Sequence, residues 1–170
     1  MMNNKLLIAA SLLVLTACSD LPPAVRNSKE VVALPSTTKS IRGIAITDNE
    51  VSDIVQRFPF LDYIYLNIKS KVTDKSIGAM APLKHLQHIV IEDGSLITDD
   101  GLKSFQSYPA LRELVLKNGT QLSSRGLQNL AELKKLQLLY LSNLTKIKPG
   151  DFDELRKALP QCTIKDTTGQ

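Results

Sequence analysis

The chain has 170 residues, 43% of them hydrophobic, and its 21 lysines and arginines against 17 aspartates and glutamates give a formal net charge of +4. The excess is dispersed over Lys69, Lys71, Lys84, Arg125, Lys134, Lys135 and others rather than run together. That pattern describes a solvated surface and excludes a concentrated nucleic-acid footprint, while leaving attraction to anionic lipid headgroups open.

At the amino terminus Lys5 precedes an apolar run from Leu6 to Val14, which closes at Leu15-Thr16-Ala17-Cys18 before polar sequence begins at Ser19. A membrane-spanning helix needs about 20 apolar residues, so this run is too short to span and suits a cleaved signal over residues 1–17. It resembles the signal peptide and lipobox of bacterial lipoproteins. The resemblance implies that Cys18 becomes the first residue of the mature chain and is diacylated on sulfur and acylated on its amine. Fatty-acyl chains such as palmitate would then anchor the protein without a transmembrane helix. Ser19 after the cysteine, in place of aspartate, implies the outer membrane by that family's sorting rule. With Cys18 consumed, Cys162 is the remaining thiol and no internal disulfide can form.

Residues 18–40 hold three prolines and several hydroxyl residues with no helical or strand period. They are expected to be a flexible linker. From Ile41 to Phe60 comes a shorter first unit: Ile41, Ile44 and Ile46 supply a strand frame, and Val51, Ile54 and Phe58 are spaced as a helix face. This unit is expected to cap the open end of the core.

Self-similarity dominates the rest. Leu61, Leu86, Leu111 and Leu136 fall 25 apart, as do Ile64, Ile89, Leu114 and Leu139, then Leu66, Ile91, Leu116 and Leu141. The same step links Val72 to Ile147, Ile77 to Phe152 and Met80 to Leu155, so full units begin at residues 61, 86, 111 and 136. Within a unit, alternation at Ile64 and Leu66 has the period of a strand, and Ile77, Met80 and Leu83 mark one face of a short helix. One such unit cannot bury its own apolar face, so stacking must supply the core. The L-x-x-L-x-L frame with "ITDDGL" and its degenerate copy "VTDKSI" resembles the 25-residue class of the leucine-rich repeat family. The resemblance spans residues 41–164 and implies an α/β solenoid. Strands stack about 4.8 Å apart and helices need roughly 8 to 10 Å, so the parallel sheet is expected on the concave side and the short helices on the convex side. Related eukaryotic substrate-adaptor repeats carry cysteines inside each unit, whereas Cys162 is the sole cysteine of this region, so no ubiquitin-ligase role is implied.

The stretch "EDGSLITDDGL" concentrates acids and glycines in the manner of a cation loop. Calcium loops of the EF-hand type place a ligand first and glycine sixth. Gly101 as the sixth residue puts Leu96 first and Gly94 puts Ile89 first, so no metal site is expected. Thr73, Thr98 and Ser123 recur instead as candidate helix N-caps, with Asp99 and Asp100 in the first turn beside the helix dipole. At the far end Leu159, Pro160, Cys162 and Ile164 announce a closing strand near residues 162–164, followed by a polar tail over 165–170 that is expected to fray.

In the strand frame the first, fourth and sixth residues point inward, so the third and fifth form outward columns. The third-position column is Tyr63, His88, Glu113, Leu138 and the fifth is Tyr65, Val90, Val115, Tyr140. The latter is a continuous apolar and aromatic stripe, expected to be exposed, and stripes of that kind rimmed by polar groups mark binding surfaces. His88 with Glu92 and Glu113 is the best constellation for chemistry, but no nucleophile or second histidine accompanies it, so no catalytic residue and no cofactor are assigned. The expectation is a non-enzymatic, membrane-anchored module of the bacterial envelope that binds a protein partner on these eight residues. The alternative is a glycan or cell-wall binding lipoprotein that uses Tyr63, Tyr65 and Tyr140 as stacking platforms.

Overall fold

The computed structural model describes residues 21–167. The expected signal segment and Cys18 lie outside the described residues. One seven-stranded sheet forms the centre, every strand parallel to its neighbours and the spatial order equal to the chain order. The strands are β1 (Ala24–Val25), β2 (Ser40–Gly43), β3 (Tyr63–Leu66), β4 (His88–Ile91), β5 (Glu113–Leu116), β6 (Leu138–Ser142) and β7 (Thr163–Thr167). Parallel neighbours require a crossover. Short helices supply them: α1 (Ser28–Ala33), α2 (Asp48–Arg57), α3 (Asp74–Ala79), α4 (Asp99–Ser104), α5 (Ser124–Gln128) and α6 (Asp153–Ala158). Each helix packs on the next, so they form one layer in an α/β fold.

The 25-residue step of the sequence is the lateral step of the sheet. Tyr63 lies opposite His88, His88 opposite Glu113, Glu113 opposite Leu138, and Leu138 opposite Thr163. All six apolar columns are buried, the strand residues Ile64, Ile89, Leu114 and Leu139 sharing one core with Ile77, Leu102, Leu127 and Phe152 of the helical side.

Four expectations need correction. Residues 24–40 are not a linker, because they contain β1 and α1. Val25 and Val31 are buried in the common core, Pro23 and Val25 carbonyls accept from the N–H groups of Arg42 and Ile44 at 2.9 Å each, and Arg57 Nη2 donates to the Leu34 carbonyl at 2.9 Å. A two-residue strand is too short to show alternation, and its ladder bonds come from β2 rather than from its own side chains. The unit beginning at residue 41 is therefore not the end of the stack.

That unit is also out of the expected frame. Ile41 lies opposite Ile64 and Gly43 opposite Leu66, so Ile41 takes the fourth position and a glycine the sixth. A Cβ on Gly43 would come within 2.5 Å of Ile46 Cδ1 and 2.9 Å of Leu66 Cδ2. Ile46, fully buried, fills the space that leucine or isoleucine occupies in the later strands. Finally, the closing strand runs on through the expected tail to Thr167. Backbone ladder bonds to β6 do not depend on polar side chains, and Arg156 adds an ion pair to Asp166 at 2.7 Å.

The acids of the repeat tie successive units together. Thr47, Thr73 and Thr98 cap their helices, each hydroxyl accepting from an N–H two residues on. The next residue, an aspartate, reaches sideways to the following unit. Asp48 accepts from Thr73 N–H at 3.0 Å and its hydroxyl at 2.8 Å. Asp74 accepts from the same groups of Thr98 at 2.8 and 2.6 Å, and Asp99 from those of Ser123 at 2.9 and 2.5 Å. The glycine of T-D-x-G-L makes room for this carboxylate. A Cβ on Gly101 would strike Asp74 Oδ1, and one on Gly126 would strike Asp99 Oδ1. Where serine stands instead, Ser76 Oγ donates to Asp48 Oδ1. At Ser124 the ladder reverses direction, its hydroxyl donating to Asp151 at 2.5 Å.

Candidate interaction face

The strands place all eight expected residues on the sheet face turned away from the helices, because alternate positions of a strand point to opposite faces and the intervening residues fill the core. Tyr63, His88, Glu113 and Leu138 are in direct lateral register, and so are Tyr65, Val90, Val115 and Tyr140. The second column extends further than the sequence reading had it. Arg42 lies opposite Tyr65 at one end and Lys165 opposite Tyr140 at the other. The displaced frame around Ile41 concealed Arg42, and the supposed tail concealed Lys165.

The stripe is less exposed than expected. Val90 is 6% exposed, Val115 3%, Leu138 3% and Glu113 6%, whereas Tyr63, Tyr65, His88 and Tyr140 are half-buried. Strands about 4.8 Å apart bring large side chains into mutual contact, so the rings shield the smaller residues between them. Tyr65 illustrates this. Its hydroxyl interacts with Glu92, the residue that follows the neighbouring strand β4.

Polar pairs run across the strands. His88 Nδ1 and Glu113 Oε2 are 2.9 Å apart, and the Tyr63 and His88 rings meet with centroids 6.2 Å apart. Lys117 Nζ donates to Glu92 Oε1 at 3.0 Å. Burial pushes Tyr63 up to about 12, helped by the charge of Glu113 and opposed by that of Arg42. Burial also raises Tyr65, together with the bond to Glu92 and its charge. Glu92 goes the other way: burial would raise its carboxyl, but bonds from Tyr65 and Lys117 and the lysine's charge hold it below the ordinary glutamate range. Two buried side-chain polar atoms have no hydrogen-bond partner among the described residues, Arg42 Nε and Glu113 Oε1.

The arrangement presents aromatic and charged groups but no activated nucleophile. Cys162 lies near the end of the chain, half-buried, its thiol pushed up to about 11 by burial. Among the described residues no group of three or more metal-ligating side chains converges, and no helix is long and apolar enough to cross a membrane. The acids of "LITDDGL" border a polar cleft of about 490 Å³, but Lys103 and Arg125 line it too, and Asp99 is committed to Ser123.

No family model matches the chain, and no curated protein matches it. Among solved structures, a Bacteroides fragilis protein determined by the Northeast Structural Genomics Consortium aligns over 85% of this chain and 70% of its own, at 10% identity and a TM-score of 0.28.

Proposed function

We propose that this chain is a non-enzymatic leucine-rich-repeat module of a bacterial envelope, anchored to the outer membrane by lipid on Cys18, that binds a protein partner on the helix-free, concave side of its solenoid. The observation that carries this reading is the registered column Tyr65, Val90, Val115 and Tyr140 with Tyr63 and Leu138 beside it. Half-buried tyrosines around a closed apolar floor have the anatomy of interface anchors, because an incoming surface completes their burial at little entropic cost.

The test begins with cross-linking in intact cells and identification of the attached protein. Affinity for that partner is then compared among folded variants. Tyr65→Ser with Tyr140→Ser should weaken binding by about 2 kcal/mol or more per anchor. Lys103→Ser with Gln128→Ser, on the helical side, should leave it unchanged. The opposite result would move function to the helical side and sink the reading. Retention of the chain on protein-free cell-wall polymer, lost in the tyrosine variants, would favour the glycan alternative.

A further inference from the structure

Glu113 is the most buried carboxylate on the helix-free face, its side chain only 8% exposed. One oxygen, Oε2, meets His88 Nδ1 at 2.9 Å, while Oε1 is out of solvent and without a hydrogen-bond partner among the described residues. A buried acceptor without a donor is costly, and more so when it carries charge. Unlike Glu92, which is bonded to both Lys117 and Tyr65, Glu113 has no lysine or arginine in a salt bridge among the described residues. The neighbouring Tyr63 ring feels that charge directly.

A second orphan has the opposite character. Arg42 Nε is a buried donor without an acceptor among the described residues, and it lies on the other side of Tyr63, whose hydroxyl is affected by both charges. The face thus offers one unused acceptor and one unused donor, separated by the rings of Tyr63 and His88 on the two strands between them. A peptide segment carries both complements: a basic side chain has N–H donors, and the backbone has carbonyls.

We infer that the partner inserts a lysine or arginine side chain beside Glu113, its charge satisfying Oε1, with a partner carbonyl accepting from Arg42 Nε. This rests on the proposal that the sheet face is the binding surface, and it assigns that surface a chemistry. Charge-assisted bonds to a carboxylate are the strong class of hydrogen bond. The rings of Tyr63 and Tyr65 supply π faces for the cation on its way in. Access requires the flanking side chains to change rotamer, which interfaces commonly do without backbone movement.

The test is fluorescence anisotropy of the full chain in detergent micelles, titrated with a labelled heptapeptide that has a central arginine flanked by valine and leucine. The same peptide with citrulline, which keeps the shape and removes the charge, is the comparison. The arginine peptide should bind saturably and the citrulline peptide at least about tenfold more weakly. Glu113→Gln should bring the arginine peptide to the citrulline level, while Glu132→Gln on the helical side leaves it unchanged. Thermal melts establish whether Glu113→Gln is folded, and the two-peptide comparison on the unaltered chain decides the matter if it is not. Equal binding of the two peptides, or full affinity in folded Glu113→Gln, overturns this inference but leaves the face as a binding surface. Binding of neither peptide also overturns it, and the tyrosine variants then judge the surface separately.

Discussion

Asp99 accepts both the N–H and the hydroxyl of Ser123, at 2.9 and 2.5 Å, across 24 residues of chain. Its neighbour Asp100 has an exposed side chain and contributes its N–H to the Thr98 cap. Two adjacent acids of one motif therefore do different things. Asp99→Asn should cost about 1–3 kcal/mol by weakening two bonds to a charged acceptor, whereas Asp100→Asn should stay within about 0.5 kcal/mol. Urea unfolding of the two single variants checks this. Equal, small effects would show that the sideways bonds contribute nothing beyond the helix dipole.

The glycine of the motif is explained by the same ladder. Gly101→Ala drives a methyl into Asp74 Oδ1 and should destabilise by about 1–3 kcal/mol. Combining it with Asp74→Ala should recover part of that loss, because the two changes share one space. Gly78, exposed in α3 with nothing within 4 Å of an added Cβ, is the control. Gly78→Ala should stabilise by about 0.5–1 kcal/mol through helix propensity alone.

Acid should loosen the fold in a defined window. Burial would raise the Asp48 carboxyl, but bonds from Ser76 and Thr73 and the charge of Lys75 hold it below 3.8. Glu50, bonded by Thr47, and Glu92 lie below 4.5. A carboxyl lowered in the folded state binds fewer protons there than in the unfolded chain. Its stabilisation is therefore present above the unfolded value and is lost as pH falls through the folded one. Stability should be flat from about pH 5 to neutral pH and decline below about pH 4. Asp48→Asn should be less stable than the parent at neutral pH, and the gap should narrow on acidification, as read from denaturation midpoints at several pH values.

The proposed lipid anchor makes a separate prediction. Cys18→Ala should shift the protein out of the membrane fraction or leave an uncleaved precursor without acyl mass, as intact-mass spectrometry of the fractions would show. A mature chain that begins elsewhere than Cys18, or carries no lipid, sinks the assignment.

What the sequence determined by itself was the repeating frame. Stacked units demand the same residue class at the same lateral position, so Ile64, Ile89, Leu114 and Leu139 announce both their burial and their register in one-dimensional spacing. The caps at Thr73 and Thr98 were legible for a similar reason, since a cap is a local bond. Only the tertiary structure decided what depends on a neighbour rather than on the residue itself. β1 exists because β2 offers it hydrogen bonds, Gly43 takes the strand position expected of Ile46 because Ile46 folds into its space, and Gly101 is small because Asp74 arrives from the preceding unit. The same holds for the face. Alternation put Val90, Val115 and Glu113 on it, but how far the adjacent rings cover them, and that Glu113 keeps one oxygen unpartnered among the described residues, follow from side chains meeting across strands 25 residues apart in the chain.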